Sequence, residues 1–109
     1  MIKPRGYEFS IERYDELKAI ARQYSEYKSL ALRVATGKKT STPRPDDYAH
    51  RIWAIETAAI AAAGDLAEYI LLNTTKEQTF KKIAPPCGYR QFYYYRKCFF
   101  EELNKRLWI

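Results

Sequence analysis

Two consecutive prolines, Pro85-Pro86, followed by Cys87-Gly88, force a break in a chain whose apolar residues otherwise recur at helical spacing. Before the break, Thr75-Lys-Glu-Gln-Thr-Phe-Lys-Lys-Ile-Ala84 reads as a short helix. After it, Tyr89 to Trp108 reads as a longer one, basic and aromatic. The order is that of a helix-turn-helix, in which the connecting turn is three or four residues long and often holds a glycine. Two overlapping capping boxes, Thr74-x-x-Glu77 and Thr75-x-x-Gln78, are expected to start the first helix. Phe80, Ile83 and Ala84 are its apolar points, with Ala84 small enough to let the two helices approach. Gly88 is expected to supply backbone freedom at the turn.

On a wheel of about 100° per residue with Phe92 at the origin, Tyr95, Arg96, Phe99, Leu103, Arg106 and Leu107 fall within roughly 60° and form the predicted buried stripe. Arg96 packs its stem there and reaches outward with its head. The opposite face collects Arg90, Tyr93, Tyr94, Lys97, Glu101 and Lys105, with Gln91 on its flank. In a helix-turn-helix the start of this helix meets base edges. Arg90 is suited to guanine and Gln91 to adenine, while Tyr93 and Tyr94 are suited to phosphates, sugars and thymine methyls. Lys81, Lys82, Arg96 and Lys97 are the predicted phosphate contacts. The plainer alternative leaves Arg90 and Lys97 as solvated charges and Tyr93 to Tyr95 as filling for a small aromatic core.

The placement of charge supports the same reading. Residues 80–109 hold seven Lys/Arg against two acids, net +5, whereas residues 1–79 hold twelve against eleven, net +1. A basic end on a nearly neutral body suits a polyanion partner.

Upstream, the pattern is helical throughout, and an all-α fold of about five helices in a single domain is expected. Its parts are an N-terminal segment and linker (1–45), central helices (46–73) and the helix-turn-helix (74–109). Tyr7 and Phe9 are expected to fold back on a first helix capped by Ser10, with Ile11, Tyr14, Leu17, Lys18, Ile20, Ala21 and Tyr24 on its packed side. Ser25 is a candidate cap for a second segment that buries Tyr27, Leu30, Ala31 and Val34 and stops at Gly37; one bent helix fits the pattern equally well. Lys38 to Pro45 reads as a basic linker, either a solvated loop or an arm on DNA phosphates. Asp46 or Asp47 then caps a helix through His50 to Ala63, whose alanines invite close helix packing, inside the subunit or across a homodimer. Trp53 is either core or an interface anchor, with core the first choice. Asp65 is expected to cap a short helix with Leu66, Ile70 and Leu71 inward, broken by Asn73-Thr74-Thr75.

Several classes are excluded by what these residues do not contain. His50 is the lone histidine, and there is no carboxylate pair, nucleophile triad or phosphate-cradling glycine loop, so no enzyme, cofactor or metal is expected. Cys87 and Cys98 lack zinc spacing and read as packed, reduced thiols. No stretch approaches the ~18 apolar residues of a membrane span, and the N-terminus lacks a signal-peptide run, which points to the cytoplasm.

At Gln23-Tyr-Ser-Glu-Tyr-Lys28, Phe80-x-x-Ile83, Pro86-Cys-Gly88, Arg90-Gln-Phe-Tyr93 and Arg96-Lys-x-Phe-Phe100, about half the chain, the sequence resembles the ArpU/RinA-type family of phage late-transcription regulators. The resemblance implies a sigma-factor region 4-like helix-turn-helix that binds promoter duplex DNA in a bacterial host, with host RNA polymerase as a further partner. It does not extend to Pro45 or to the Ala-rich helix. The competing expectation is a protein-interaction module that contacts polymerase or another factor through its tyrosines without reading sequence. A DNA-packaging adaptor is a third.

Overall fold

The computed structural model describes residue 7, residues 9–35 and residues 45–107; of residues 33–35 and 45–47 only the backbone is described. The predicted stop at Gly37 and residues 38–44 of the predicted linker lie outside these residues; Pro45, its predicted last residue, belongs to the next helix. The fold is all-α: α1 (Ile11–Arg22), α2 (Tyr24–Ala35), α3 (Pro45–Ala63), α4 (Ala67–Lys76), α5 (Phe80–Ile83) and α6 (Tyr89–Leu107). Five of these are ten residues or longer; α5 is a single turn, and a 3-10 turn, Gly64–Leu66, joins α3 to α4. Among the described residues no helix is long and apolar enough to cross a membrane.

Local chemistry explains most of the boundaries. The Ser10 hydroxyl accepts the Arg13 N–H at 3.2 Å, so α1 starts where a side-chain cap is available. The Tyr7 ring lies 5.1 Å from Phe9 and 5.0 Å from Tyr14, centroid to centroid, which folds the lead-in onto α1 as expected. The question of one helix or two is settled at Gln23. There the backbone leaves helical geometry (φ −91°, ψ 9°), and α2 begins at Tyr24, one residue before the predicted cap Ser25. The Gln23 side chain accepts a hydrogen bond from the Tyr27 hydroxyl at 2.8 Å, bracing that junction. Pro45 is the first residue of α3, a position where its missing N–H costs nothing, so Asp46 and Asp47 lie inside the helix and neither is the cap expected of them. Gly64 ends α3 with φ +56°, the left-handed geometry that glycine adopts without a Cβ penalty.

Three further expectations fail in the middle of the chain. Trp53 is not core: it is 50% exposed and stacks on His50 at 5.6 Å, because it lies on the side of α3 opposite Ile55, Ala58 and Ala59. Asp65 caps nothing; it sits exposed in the 3-10 turn, and α4 starts without a side-chain cap. Asn73-Thr74-Thr75 does not break α4, which runs on to Lys76. The Thr74 and Thr75 hydroxyls donate to the carbonyls of Ile70 and Leu71, at 2.8 and 2.6 Å, and so stay within the helix. The helix stops instead at Glu77, held at φ 56°, with the Gln78 N–H reaching back to the Leu72 carbonyl.

The core is built on α3. Ala54, Ile55, Ala58 and Ala59 are fully buried, and α6 supplies Phe92, Phe99, Phe100 and Leu103. Phenylalanines against alanines fill space at close helix separation, large opposite small. Leu17 and Ala21 of α1, Tyr27 of α2 and Ile70 of α4 close the cluster. Ala54, Ala58 and Ala59 are therefore used inside the subunit, whereas Ala49 and Ala61 are exposed. At the far end of α6, His50 Nε2 bonds the Arg106 carbonyl at 3.1 Å and Arg106 Nε donates to Thr57 at 2.9 Å, pinning the C-terminal turn to α3.

Candidate nucleic-acid interface

The corner between α5 and α6 departs from the predicted helix-turn-helix at its first helix. Thr74 and Thr75 belong to α4, so the predicted capping boxes do not form; Thr79 caps α5 instead, accepting the Lys82 N–H at 3.2 Å. One helical turn, Phe80–Ile83, then stands where a helix from Thr75 to Ala84 was expected.

The turn also works differently. Positive φ falls on Ala84 (φ 49°, ψ 57°), which is exposed and donates its N–H to the Phe80 carbonyl at 2.8 Å as the cap of α5. Ala84 thus serves backbone geometry rather than close helix approach. Gly88 has no positive φ, and a Cβ built there meets nothing within 4 Å; its carbonyl accepts the Phe92 N–H at 2.9 Å. Ala84→Gly is therefore expected to stabilise the protein by about 0.5–1 kcal/mol, since an L side chain is disfavoured in that region. Gly88→Ala should be neutral or slightly stabilising. Denaturant midpoints of the two variants check both; destabilisation by Ala84→Gly would contradict the geometry.

An aromatic cluster holds α5 on α6. Phe80 contacts Tyr89 at 5.4 Å and Phe92 at 5.3 Å edge-on, and Tyr93 lies 4.6 Å from Tyr89 and 5.4 Å from Phe92. Phe92 is fully buried beneath it. The lysines that follow Phe80 are thereby carried beside the first turn of α6.

Eight side chains were predicted to meet nucleic acid, and the structure separates them. Lys81, Lys82, Arg90 and Gln91 are exposed, and Tyr94 is 60% exposed. Among the described residues Lys81, Lys82 and Arg90 make no ion pair. Gln91 Nε2 donates to the Tyr95 hydroxyl at 2.7 Å, one turn along. The Tyr94 phenol is held above its ordinary pKa first by its hydrogen bond with Cys98 and then by the charge that thiol would carry, so it stays protonated.

The other three are occupied. Tyr93 is half-buried in the aromatic cluster, although the wheel placed it on the outer face. Lys97 lies 3.1 Å from the Glu101 carboxylate, and that hydrogen bond raises the ammonium pKa above its usual value; its charge is screened by an acid one turn away. Arg96 is a structural tie. Its Nε donates to Asn73 Oδ1 at 2.8 Å and an amino group to the Tyr14 hydroxyl at 2.8 Å, with the guanidinium 4.9 Å above the Phe100 ring. It joins α1, α4 and α6 and is not directed outward to a phosphate.

Tyr89, 62% exposed at the first position of α6, belongs to the same surface and was not singled out from the sequence. Its place directly before Arg90 was the available signal. From Gln78 to Phe100 there are five Lys/Arg and no acid, so this segment adds positive charge to the corner, opposed at Lys97 and Tyr94 by Glu101. No His/Cys/Asp/Glu group suited to a metal occurs among the described residues. Comparison of the chain with protein-family models, curated proteins and solved structures returns no match.

Proposed function

We propose that this protein binds duplex DNA through α5 and the first turns of α6 and acts as a transcription regulator. The observation that carries the reading is that Lys81, Lys82 and Arg90 stand exposed and, among the described residues, without an ion pair beside Gln91 and Tyr94, on a segment with no acid from Gln78 to Phe100. The lysines would neutralise phosphates, and Arg90 with Gln91 would meet base edges. Arg96, Lys97 and Tyr93 would contribute through the fold and the shape of the surface. The resemblance to phage late-transcription regulators adds promoter DNA of a phage or prophage as the target class.

With Lys81 and Lys82 as the two phosphate-neutralising charges, log K should fall with log salt at a slope of about −1.8, or roughly 12-fold between about 50 and 200 mM. Lys81→Ala should weaken all duplexes alike and reduce that slope by about 0.9. Arg90→Ala should cost about 1–3 kcal/mol on the preferred sequence and relax base choice at one position. Fluorescence anisotropy on genomic fragments at two salt concentrations measures both. Binding that is absent, or insensitive to salt, would overturn the proposal.

The exposed rings of Tyr89 and Tyr94 favour one competing reading, a surface for polymerase or another protein factor. Capture of a host protein that survives nuclease treatment and is lost with Tyr94→Ala, without any DNA binding, would decide for it.

A further inference from the structure

The outer face of α3 carries the other large exposed apolar side chains that share one helix surface. Trp53 is 50% and Ile60 61% exposed, and seven residues separate them, two helical turns or about 10 Å. Ala49 and Gly64 are exposed at the two ends of the same strip. We propose that this face binds the same face of a second copy of the chain, forming an antiparallel two-fold α3–α3 contact, independently of whether the α5–α6 corner binds DNA.

Three observations choose a second copy over another partner. First, the side chains of the strip itself, Ala49, Trp53, Thr57 and Ile60, are uncharged. Between Ile52 and Gly64 the sole charged residue is Glu56, and its carboxylate accepts the Tyr24 hydroxyl hydrogen bond at the side of the strip. The chain has a net charge of +6, so two copies meet with least repulsion on a face without excess positive charge, where the guanidinium beside Thr57, that of Arg106, is paired with the Glu102 carboxylate, whereas an acidic partner would be drawn to the basic corner. Second, the strip is self-complementary. A two-fold axis passing between Glu56 and Thr57 sets Trp53 of one copy on Ile60 of the other, twice, and sets Ala49 on Gly64 at each end, as an isologous contact requires. Third, the polar groups beside it are already satisfied. Thr57 donates to the Trp53 carbonyl at 2.7 Å and accepts from Arg106, and Arg106 also bonds Glu102. Covering them leaves no orphaned donor or acceptor. Stacking on His50 already orders the Trp53 ring, which lowers the entropy lost on docking.

Light scattering or sedimentation of the full chain, without nucleic acid, from about 1 to 100 µM tests this. The expected mass rises with concentration to twice the 12.9 kDa of one chain. Ile60→Glu should weaken association at least about 100-fold while leaving helical circular dichroism unchanged, because position 60 points away from the core. In a Trp108→Phe background the Trp53 emission should move to shorter wavelength as dimer forms, and should not do so with Ile60→Glu. A chain that stays monomeric across this range overturns the proposal and leaves the face to a different protein. A dimer that survives Ile60→Glu, or forms without moving the Trp53 emission, also overturns it by placing the contact elsewhere.

Discussion

Replacing Phe100 with Ala should lower stability by about 3–5 kcal/mol, the cost of emptying a fully packed aromatic site. Phe100 is 1% exposed; its ring meets Tyr14 edge-on at 5.3 Å and Phe99 at 5.1 Å, and lies under the Arg96 guanidinium. Truncation removes the floor on which Arg96 rests as well as the contact between α6 and α1. Equilibrium urea unfolding should show a lower midpoint at an unchanged slope, and Phe100→Leu should recover more than half of the loss. A cost below about 1 kcal/mol would mean that the site collapses freely and that α1 is not anchored there.

Arg96→Ala is the second large effect, expected at about 2–3 kcal/mol, because two charge-assisted hydrogen bonds are lost together and Asn73 and Tyr14 are left short of a donor. Asn73 also donates to the Gln78 carbonyl at 2.8 Å, so loosening it loosens the approach to α5. Arg96→Lys keeps the charge but not the planar fork and should recover only a minor part. The same variant separates structure from binding. At a temperature where Arg96→Ala remains folded, the salt slope of DNA binding should stay at its wild-type value, since this guanidinium faces Asn73 and Tyr14. A slope reduced by about 0.9 would return Arg96 to the phosphate contacts.

Helical spacing made the all-α class legible, along with the Ser10 cap, the Pro85-Pro86 break and the line of Phe92, Phe99 and Leu103 that α6 buries. Each rests on neighbours within a turn or so, where period and capping chemistry act. The same rules misread Thr74 and Thr75. A threonine that caps a helix and one that bonds back to the carbonyl four residues earlier look alike in sequence, and the packing of α4 against α1 and α6 decides between them. The wheel likewise left Phe100 out of the stripe and placed Tyr93 outside, because α6 is covered from several directions, by α1, α3 and α4, and not along one line.

For the candidate interface, the amino-acid order alone was enough to mark out a basic, aromatic corner at Lys81, Lys82, Arg90, Gln91 and Tyr94, since charge and turn chemistry are written locally. Which cations stay free there is a matter of long-range partners. Asn73 lies 23 residues from Arg96 and Tyr14 lies 82 residues away, and only the folded chain brings them within hydrogen-bond reach. Trp53 follows the same logic: its apolar character was plain from the start, but whether α3 turned it inward depended on which side the phenylalanines of α6 came to occupy.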